Sequence, residues 1–263
     1  MENERYTFEQ LLAIMERLRS KDGCPWDKEQ THQSLKSDTI EEAYELVEAI
    51  NNNDDKNMQE ELGDLLLHIA FHIQIAKEEN RFDEDDVLYG IIEKMIRRHP
   101  HVFGNQHAKN SDEVLVQWDE IKKIEKEHTT TTDVMRSVAK ALPALTRASK
   151  IQKKAAKVGF DFEDEIQMLE KLDEEVQEMK EAVQKKNIAC IEDEIGDLLF
   201  QIVNLSRFFG LNAENTLTNA TEKFINRFEG IEELAINQQR EMATLSLNEM
   251  NELWEVVKKQ QSF

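Results

Sequence analysis

Between Glu41 and Ile50 the acidic and apolar positions follow a helical period. At about 100° per residue, Glu41, Glu42, Glu45 and Glu48 share one face of a helix, and Ala43, Tyr44, Leu46, Val47 and Ile50 spread over the other. The run N-N-N-D-D-K-N at 51–57 then ends the helix and turns the chain. A second helical pattern follows in M-Q-E-E-L-G-D-L-L-L-H-I-A-F-H-I-Q-I-A, where Glu61, Asp64 and His68 lie within about 60° of one another. The turn is short, so the two helices are expected to run antiparallel and side by side, with their acidic stripes at one level.

The same pattern returns 133 residues later. Glu174, Glu175, Glu178 and Glu181 repeat the first glutamate string, and Glu194, Gly196 and Asp197 repeat Glu61, Gly63 and Asp64. Lys94 and Arg98 recur as Lys223 and Arg227 at an offset of 129, the difference being an ordinary loop deletion. Sixteen residues separate Glu45 from Glu61, and sixteen separate Glu178 from Glu194. A shared offset across separated motifs points to an internal duplication. The expected organisation is an N-terminal helical domain at 1–121, a linker at 122–137 where the periodicity fades into a threonine run, and a C-terminal helical domain at 138–263.

Composition supports an all-α fold of two tandem helical bundles. The 263 residues include three prolines and eight glycines, and a third are charged. The net charge of −21 disfavours nucleic acid and anionic membrane surfaces as partners. No apolar run reaches the roughly 18–20 residues of a membrane span. The opening M-E-N-E-R-Y-T-F has neither the basic nor the apolar region of a secretory leader. Cys24 and Cys190 show neither metal-ligand spacing nor a disulfide framework. These features predict a cytoplasmic protein.

One E-E-x-x-E string is ordinarily a solvated helix face paired with lysines. Its recurrence with a partnered E-x-G-D motif instead suggests a metal centre. Two carboxylates about 4 Å apart repel by about 4 kcal/mol at an effective dielectric of about 20, so four together require a cation or protons. An oxygen-only donor set suits Mg²⁺, with Mn²⁺ as a substitute, over structural zinc. A di-iron bundle would use Glu-x-x-His on facing helices, whereas both copies carry Glu-x-x-Asp. Magnesium in such sites usually completes its shell with water and substrate phosphates. Lys94 with Arg98, and Lys223 with Arg227, are spaced to grip phosphate or to pair with acidic surface. No Walker loop is present, so water activated at a metal and attacking phosphorus is the simplest chemistry. A glycine inside a helix costs about 1 kcal/mol relative to alanine, so Gly63 and Gly196 are expected where a helix or ligand comes close.

The segments C-P-W-D-K-E-Q-T-H-Q-S-L (24–35), R-R-H-P-H-V-F-G (97–104) and R-A-S-K-I-Q-K-K-A-A-K-V-G-F-D-F (147–162), with both acidic sets, give the chain an end-to-end resemblance to the bacterial MazG family. That family comprises all-α nucleoside triphosphate pyrophosphohydrolases. The resemblance implies Mg²⁺-dependent hydrolysis of nucleoside triphosphates to monophosphate and diphosphate, with broad base tolerance. It also implies a homodimer and a role in nucleotide housekeeping or stringent-response modulation. It places catalysis in the C-terminal copy and dimerisation in the N-terminal one. By position, Glu175, Glu178, Glu194 and Asp197 would hold Mg²⁺, and Glu174, Glu175 and Glu178 would carry the catalytic role. Lys171, Glu174, Lys223 and Arg227 would contact the nucleotide, and Trp254 would stack on or border the base. On residue chemistry alone, Lys171 also suits an i, i+4 pair with Glu175, and Trp254 a terminal-helix core. Glu42, Glu45, Glu61 and Asp64 are intact in the N-terminal copy, leaving a second site open. A helical dimerisation module with little or no catalysis is the alternative. His99, His101 and Cys24 are expected in loops and packing.

Overall fold

The turn that closes each acidic hairpin is built the same way in both copies. Asn53 and Lys186 take up left-handed backbone, with φ of 52° and 51°. The next residue, Asp54 or Asn187, caps the following helix with its side-chain oxygen. The Asp54 and Asn187 amides donate back to the Ala49 and Ala182 carbonyls, closing the preceding helix. A polar cap after a left-handed residue therefore fixes the antiparallel hairpin.

The structure is a computed structural model describing residues 5–126 and 128–261; residues 1–4, which open the segment read as lacking a leader, and Glu127 of the expected linker lie outside it. Among the described residues there are thirteen α-helices, one 3-10 turn and no strand. The chain divides into two compact units, Met1–Ile121 and Lys122–Phe263.

The first unit contains α1 (Phe8–Arg19), α2 (Pro25–Glu29), α3 (Lys36–Asn52), α4 (Asp55–Glu78), α5 (Glu84–Arg98), α6 (Pro100–Phe103) and most of α7 (Ser111–Glu125). The α3–α4 hairpin is its backbone, and α1 packs on α4. Met15, Leu35, Ala70, Phe71 and Ile75 form the core between them. Arg19, almost fully buried, joins the ends of α1 and α4 through Glu78 at 2.8 Å.

The second unit contains α8 (Thr131–Arg136), α9 (Ala144–Ala156), α10 (Glu165–Lys185), α11 (Ile188–Phe208), α12 (Ala213–Asn237), the 3-10 turn Met242–Thr244 and α13 (Leu247–Gln260). The α10–α11 hairpin repeats α3–α4, α9 packs on α11 and α12, and α13 packs on α12. Ile231, Ala235, Leu245, Leu253 and Val257 form a core. Gln152 on α9 donates to the Phe200 carbonyl at 2.8 Å, and Arg207 on α11 holds Asp161.

Two features differ from what the sequence suggests. The stretch expected as linker is helical at both ends: α7 runs through Glu125, and the threonine run caps α8, with Thr130 and Asp133 forming a reciprocal capping box. Nor does a neighbouring helix come close to the glycines, because a Cβ on Gly63 or Gly196 would meet no described protein atom within 4 Å. Both hairpins also leave apolar side chains open to solvent, among them Tyr44, Val47, Ile50 and Leu66 in the first and Leu199 and Phe200 in the second. Among the described residues no helix is long and apolar enough to cross a membrane.

Candidate active site

The hairpins bring three carboxylates together in each unit. In the second unit, oxygens of Glu175 on α10 and of Glu194 and Asp197 on α11 all lie within 4.8 Å of one another. In the first unit the group is Glu42 and Glu45 on α3 with Glu61 on α4, at the same spacing. The fourth expected member lies outside the tight group in each case, although its charge still reaches in. Glu178 acts on Glu194, and Asp64 acts on Glu42 and Glu61.

Glu175 is the most enclosed member of the second group, with 7% of its surface exposed. Its Oε1 pairs with the Lys171 ammonium at 2.8 Å. Its Oε2 is buried and accepts no hydrogen bond, although buried carboxylate oxygens are normally satisfied. Lys171 also reaches Glu174 at 2.9 Å, so one ammonium serves two carboxylates. Hydrogen bonds from Lys171 to Glu175 and Glu174 hold that ammonium well above the ordinary lysine range. The Glu194 carboxyl is pushed up by burial, then by the neighbouring charges of Glu178, Asp197 and Glu175.

The first group handles its repulsion differently. Position 38 is aspartate where the second copy has Lys171. Burial raises the Glu61 carboxyl, and the facing Glu42 carboxyl raises it further. Burial leads the upward shift of Glu42 and of Glu45 as well. His68, on the acidic stripe of α4, places Nε2 3.9 Å from Glu42. It belongs to a polar cluster with Thr39, His72 and His32 in which His32 Nδ1 and His72 Nδ1 are 2.8 Å apart. The second copy has Gln201 at the position of His68, and its side chain donates to the Met168 carbonyl. Sequence reading placed His68 on the stripe but missed this cluster; the i, i+4 pair His68 and His72 was its visible signal.

The remaining residues assigned through the family resemblance gather on α12 and α13. The Arg227 guanidinium lies 5.7 Å from the Trp254 ring centre, and Phe224 packs on the same ring at 5.3 Å. Trp254 is half-buried and also packs on the apolar core of that helix pair. It is thus a core residue with an arginine against its indole. Arg227 Nε is buried without a hydrogen-bond acceptor. Lys223 is exposed one turn earlier. Among the described residues no hydrogen bond or ion pair joins Lys223 or Arg227 to the carboxylates. In the first unit Lys94 and Arg98 occupy the matching turns of α5. The His99 ring packs against both His101 and Trp118, and Cys24 precedes α2 as its N-cap.

The donors fit a divalent cation. They are hard oxygens at mutual distances one ion spans, and they include a buried oxygen without a donor and a carboxyl driven up by burial and like charge.

Known proteins agree with the duplication. A family model described as the MazG nucleotide pyrophosphohydrolase domain matches twice, at residues 30–103 and 159–231. The chain is 45% identical over 251 residues to the nucleoside triphosphate pyrophosphohydrolase/pyrophosphatase MazG of Thermotoga maritima, covering 95% of each chain. It is 43% identical to a nucleoside triphosphate pyrophosphohydrolase of Escherichia coli K12, covering 96% of this chain and 97% of that one. It is also 46% identical to an uncharacterized Bacillus subtilis protein, YabN, covering 96% of this chain and 52% of that one. With each matched segment centred on one acidic hairpin, the chain belongs to the MazG nucleotide pyrophosphohydrolase domain family.

Proposed function

We propose that the protein is a nucleoside triphosphate pyrophosphohydrolase with Mg²⁺ as its natural ion. It would cleave between the α and β phosphorus to give a monophosphate and diphosphate, and tolerate different bases. The observation that carries this reading is the convergence of Glu175, Glu194 and Asp197, with Glu175 Oε2 buried and unbonded, in a chain whose relatives are named for that reaction.

Glu175, Glu194 and Asp197 would hold the ion, with Glu178 joining from the next turn of α10. When bound, the ion supplies charge neutralisation at the phosphates and a more acidic water. A carboxylate of the Glu174, Glu175 and Glu178 set takes the proton of the attacking water. Lys171 sits where its ammonium can turn from the carboxylates to a phosphate oxygen. Lys223 and Arg227 supply cations from α12, and the Trp254 indole borders the base.

The chain would work as a homodimer. Half-exposed Tyr44, Val47, Ile50 and Leu66 in one hairpin, and Leu199 and Phe200 in the other, form apolar faces that a second copy is suited to cover. Cytoplasmic placement fits two free cysteines, one of them exposed. Nucleotide housekeeping or stringent-response modulation would be the physiological setting.

Resolving the products of mixed nucleoside triphosphates and Mg²⁺ tests the reaction. Monophosphate with diphosphate supports it; diphosphonucleoside with orthophosphate overturns the bond assignment. Absence of turnover favours the second reading, a dimerisation module, which the open apolar faces also suit.

A further inference from the structure

The two hairpins differ at one position beside their carboxylates. His68 stands on α4 where α11 has Gln201. Gln201 turns its amide to the Met168 carbonyl. His68 instead points Nε2 at the first acidic group, 3.9 Å from Glu42 Oε1, and only 8% of the residue is exposed.

The neighbours of His68 set its tautomer. The Thr39 hydroxyl donates to the Leu35 carbonyl at 2.8 Å. The same oxygen lies 3.3 Å from His68 Nδ1, so it accepts from an Nδ1–H. In neutral His68 the Nε2 lone pair therefore faces Glu42. Among the described residues Nε2 makes no hydrogen bond, because 3.9 Å exceeds hydrogen-bond reach. A protonated imidazole would close on the carboxylate to about 2.7–2.9 Å. A lone pair facing a carboxylate is repulsive, and a cation between them is attracted to both. The Glu42, Glu45 and Glu61 carboxyls are each pushed up, by burial first and also by neighbouring carboxylates. An ion with bonds of about 2.1 Å spans donors up to about 4.2 Å apart, so one ion reaches both Nε2 and Glu42 Oε1.

We propose that the first hairpin is a site for a divalent transition-metal ion of the Mn²⁺, Fe²⁺, Co²⁺ and Zn²⁺ class, with His68 Nε2 as a nitrogen ligand beside the oxygens of Glu42, Glu45 and Glu61. Imidazole suits such ions, whereas Mg²⁺ keeps to oxygen and water. Thr39 is the outer partner that a ligating histidine usually has on its second nitrogen. His72 Nε2 lies 3.5 Å from the same hydroxyl, on the far side of it from the ion, and is not a ligand. The hairpins thereby sort ions, the mixed nitrogen and oxygen set of the first taking a transition metal and the carboxylate set of the second taking Mg²⁺. The assignment stands on the first hairpin alone and does not depend on the reaction proposed for the second.

Pulsed electron paramagnetic resonance of Mn²⁺ added to the full chain in excess Mg²⁺ tests the site through the nitrogen itself. Bound Mn²⁺ should persist against Mg²⁺ and show coupling to a directly bonded ¹⁴N. Labelling the histidines with ¹⁵N should convert that coupling to a ¹⁵N pattern, a reading that needs no substitution. His68→Gln, which installs the residue of the matching position in the second copy, should lose the coupling and weaken Mn²⁺ at least about tenfold, with far-UV circular dichroism unchanged. His72→Gln should keep the coupling. No Mn²⁺ uptake, complete displacement by Mg²⁺, bound Mn²⁺ without nitrogen coupling, or coupling that survives His68→Gln would each overturn the proposal.

Discussion

Replacing Lys171 by methionine keeps the length of the side chain and removes the ammonium that pairs with Glu174 and Glu175. The expected effect follows from burial. An exposed ion pair contributes about 0–1 kcal/mol, whereas stranding a buried charge costs about 3–5 kcal/mol. Here the lysine side chain is 37% exposed and that of Glu175 only 9%. The loss should therefore fall between those limits, at about 1–2 kcal/mol after allowing for solvent screening. At about 2–4 °C per kcal/mol for a chain of this size, the second unit should melt about 2–8 °C lower. The assay is circular dichroism melting of wild type and Lys171→Met in EDTA and again with excess Mn²⁺. In EDTA the variant should be the less stable protein. With Mn²⁺ the difference should shrink, because a cation among the carboxylates replaces the missing ammonium. Equal melting in EDTA would mean that Lys171 does not neutralise Glu175; a deficit that Mn²⁺ leaves untouched would mean that metal and lysine do not share those oxygens.

Other outcomes follow from the same geometry. Glu178→Ala should abolish nucleotide hydrolysis with helicity near wild type, read by product chromatography and circular dichroism, and loss of the fold would make the residue structural. Glu45→Ala should lower turnover much less; an equally inactive variant would refute the division of labour between the copies. Arg207 holds the Asp161 carboxyl below its ordinary range. Stability from that pair is present above the unfolded value of about 3.9 and lost as pH falls through the lower folded value. Urea titrations should thus show Asp161→Asn less stable by about 1–2 kcal/mol at pH 6, with the gap closing as pH falls below the ordinary aspartate value of about 3.9. Glu61 is shifted the other way, so its contribution is present at low pH and lost as pH rises through its raised folded value. In EDTA, Glu61→Gln should flatten a decline in the first unit's stability as pH rises above the ordinary glutamate value of about 4.3, and an unchanged slope would contradict the upward shift.

Much of the fold is legible in the chain because it rests on local rules. The period of Glu41–Glu48 against Leu46 and Ile50 sets the helix faces, and N-N-N-D-D sets a turn whose left-handed residue and cap reappear at Lys186 and Asn187. Side-chain convergence is less legible, since spacing puts four carboxylates on facing stripes without saying which rotamers meet. Three converge in each unit, and they are not the same three: Glu45 joins in the first where its counterpart Glu178 stands apart, and Asp197 joins in the second where Asp64 stands apart. Lys171 illustrates the same limit, because its helical position allows both a salt bridge and a substrate contact, and the structure has it bonded to Glu174 and Glu175 together. Gly63 and Gly196 look like packing devices by propensity, but the space beside each is open within the chain. The threonine run reads as linker by composition, yet Thr130 starts a helix because a hydroxyl followed three residues later by Asp133 can cap reciprocally.

In the proposed reaction the second hairpin pools carboxylates to hold a divalent ion for a triphosphate. Electron paramagnetic resonance of Mn²⁺ titrated into the protein with a non-hydrolysable triphosphate analogue measures this directly. Bound Mn²⁺ at the second hairpin in wild type that is lost in Glu175→Gln/Glu194→Gln, while Glu42→Gln/Glu61→Gln still retains it, is the predicted result. Uptake indifferent to the Glu175 and Glu194 substitutions would contradict it.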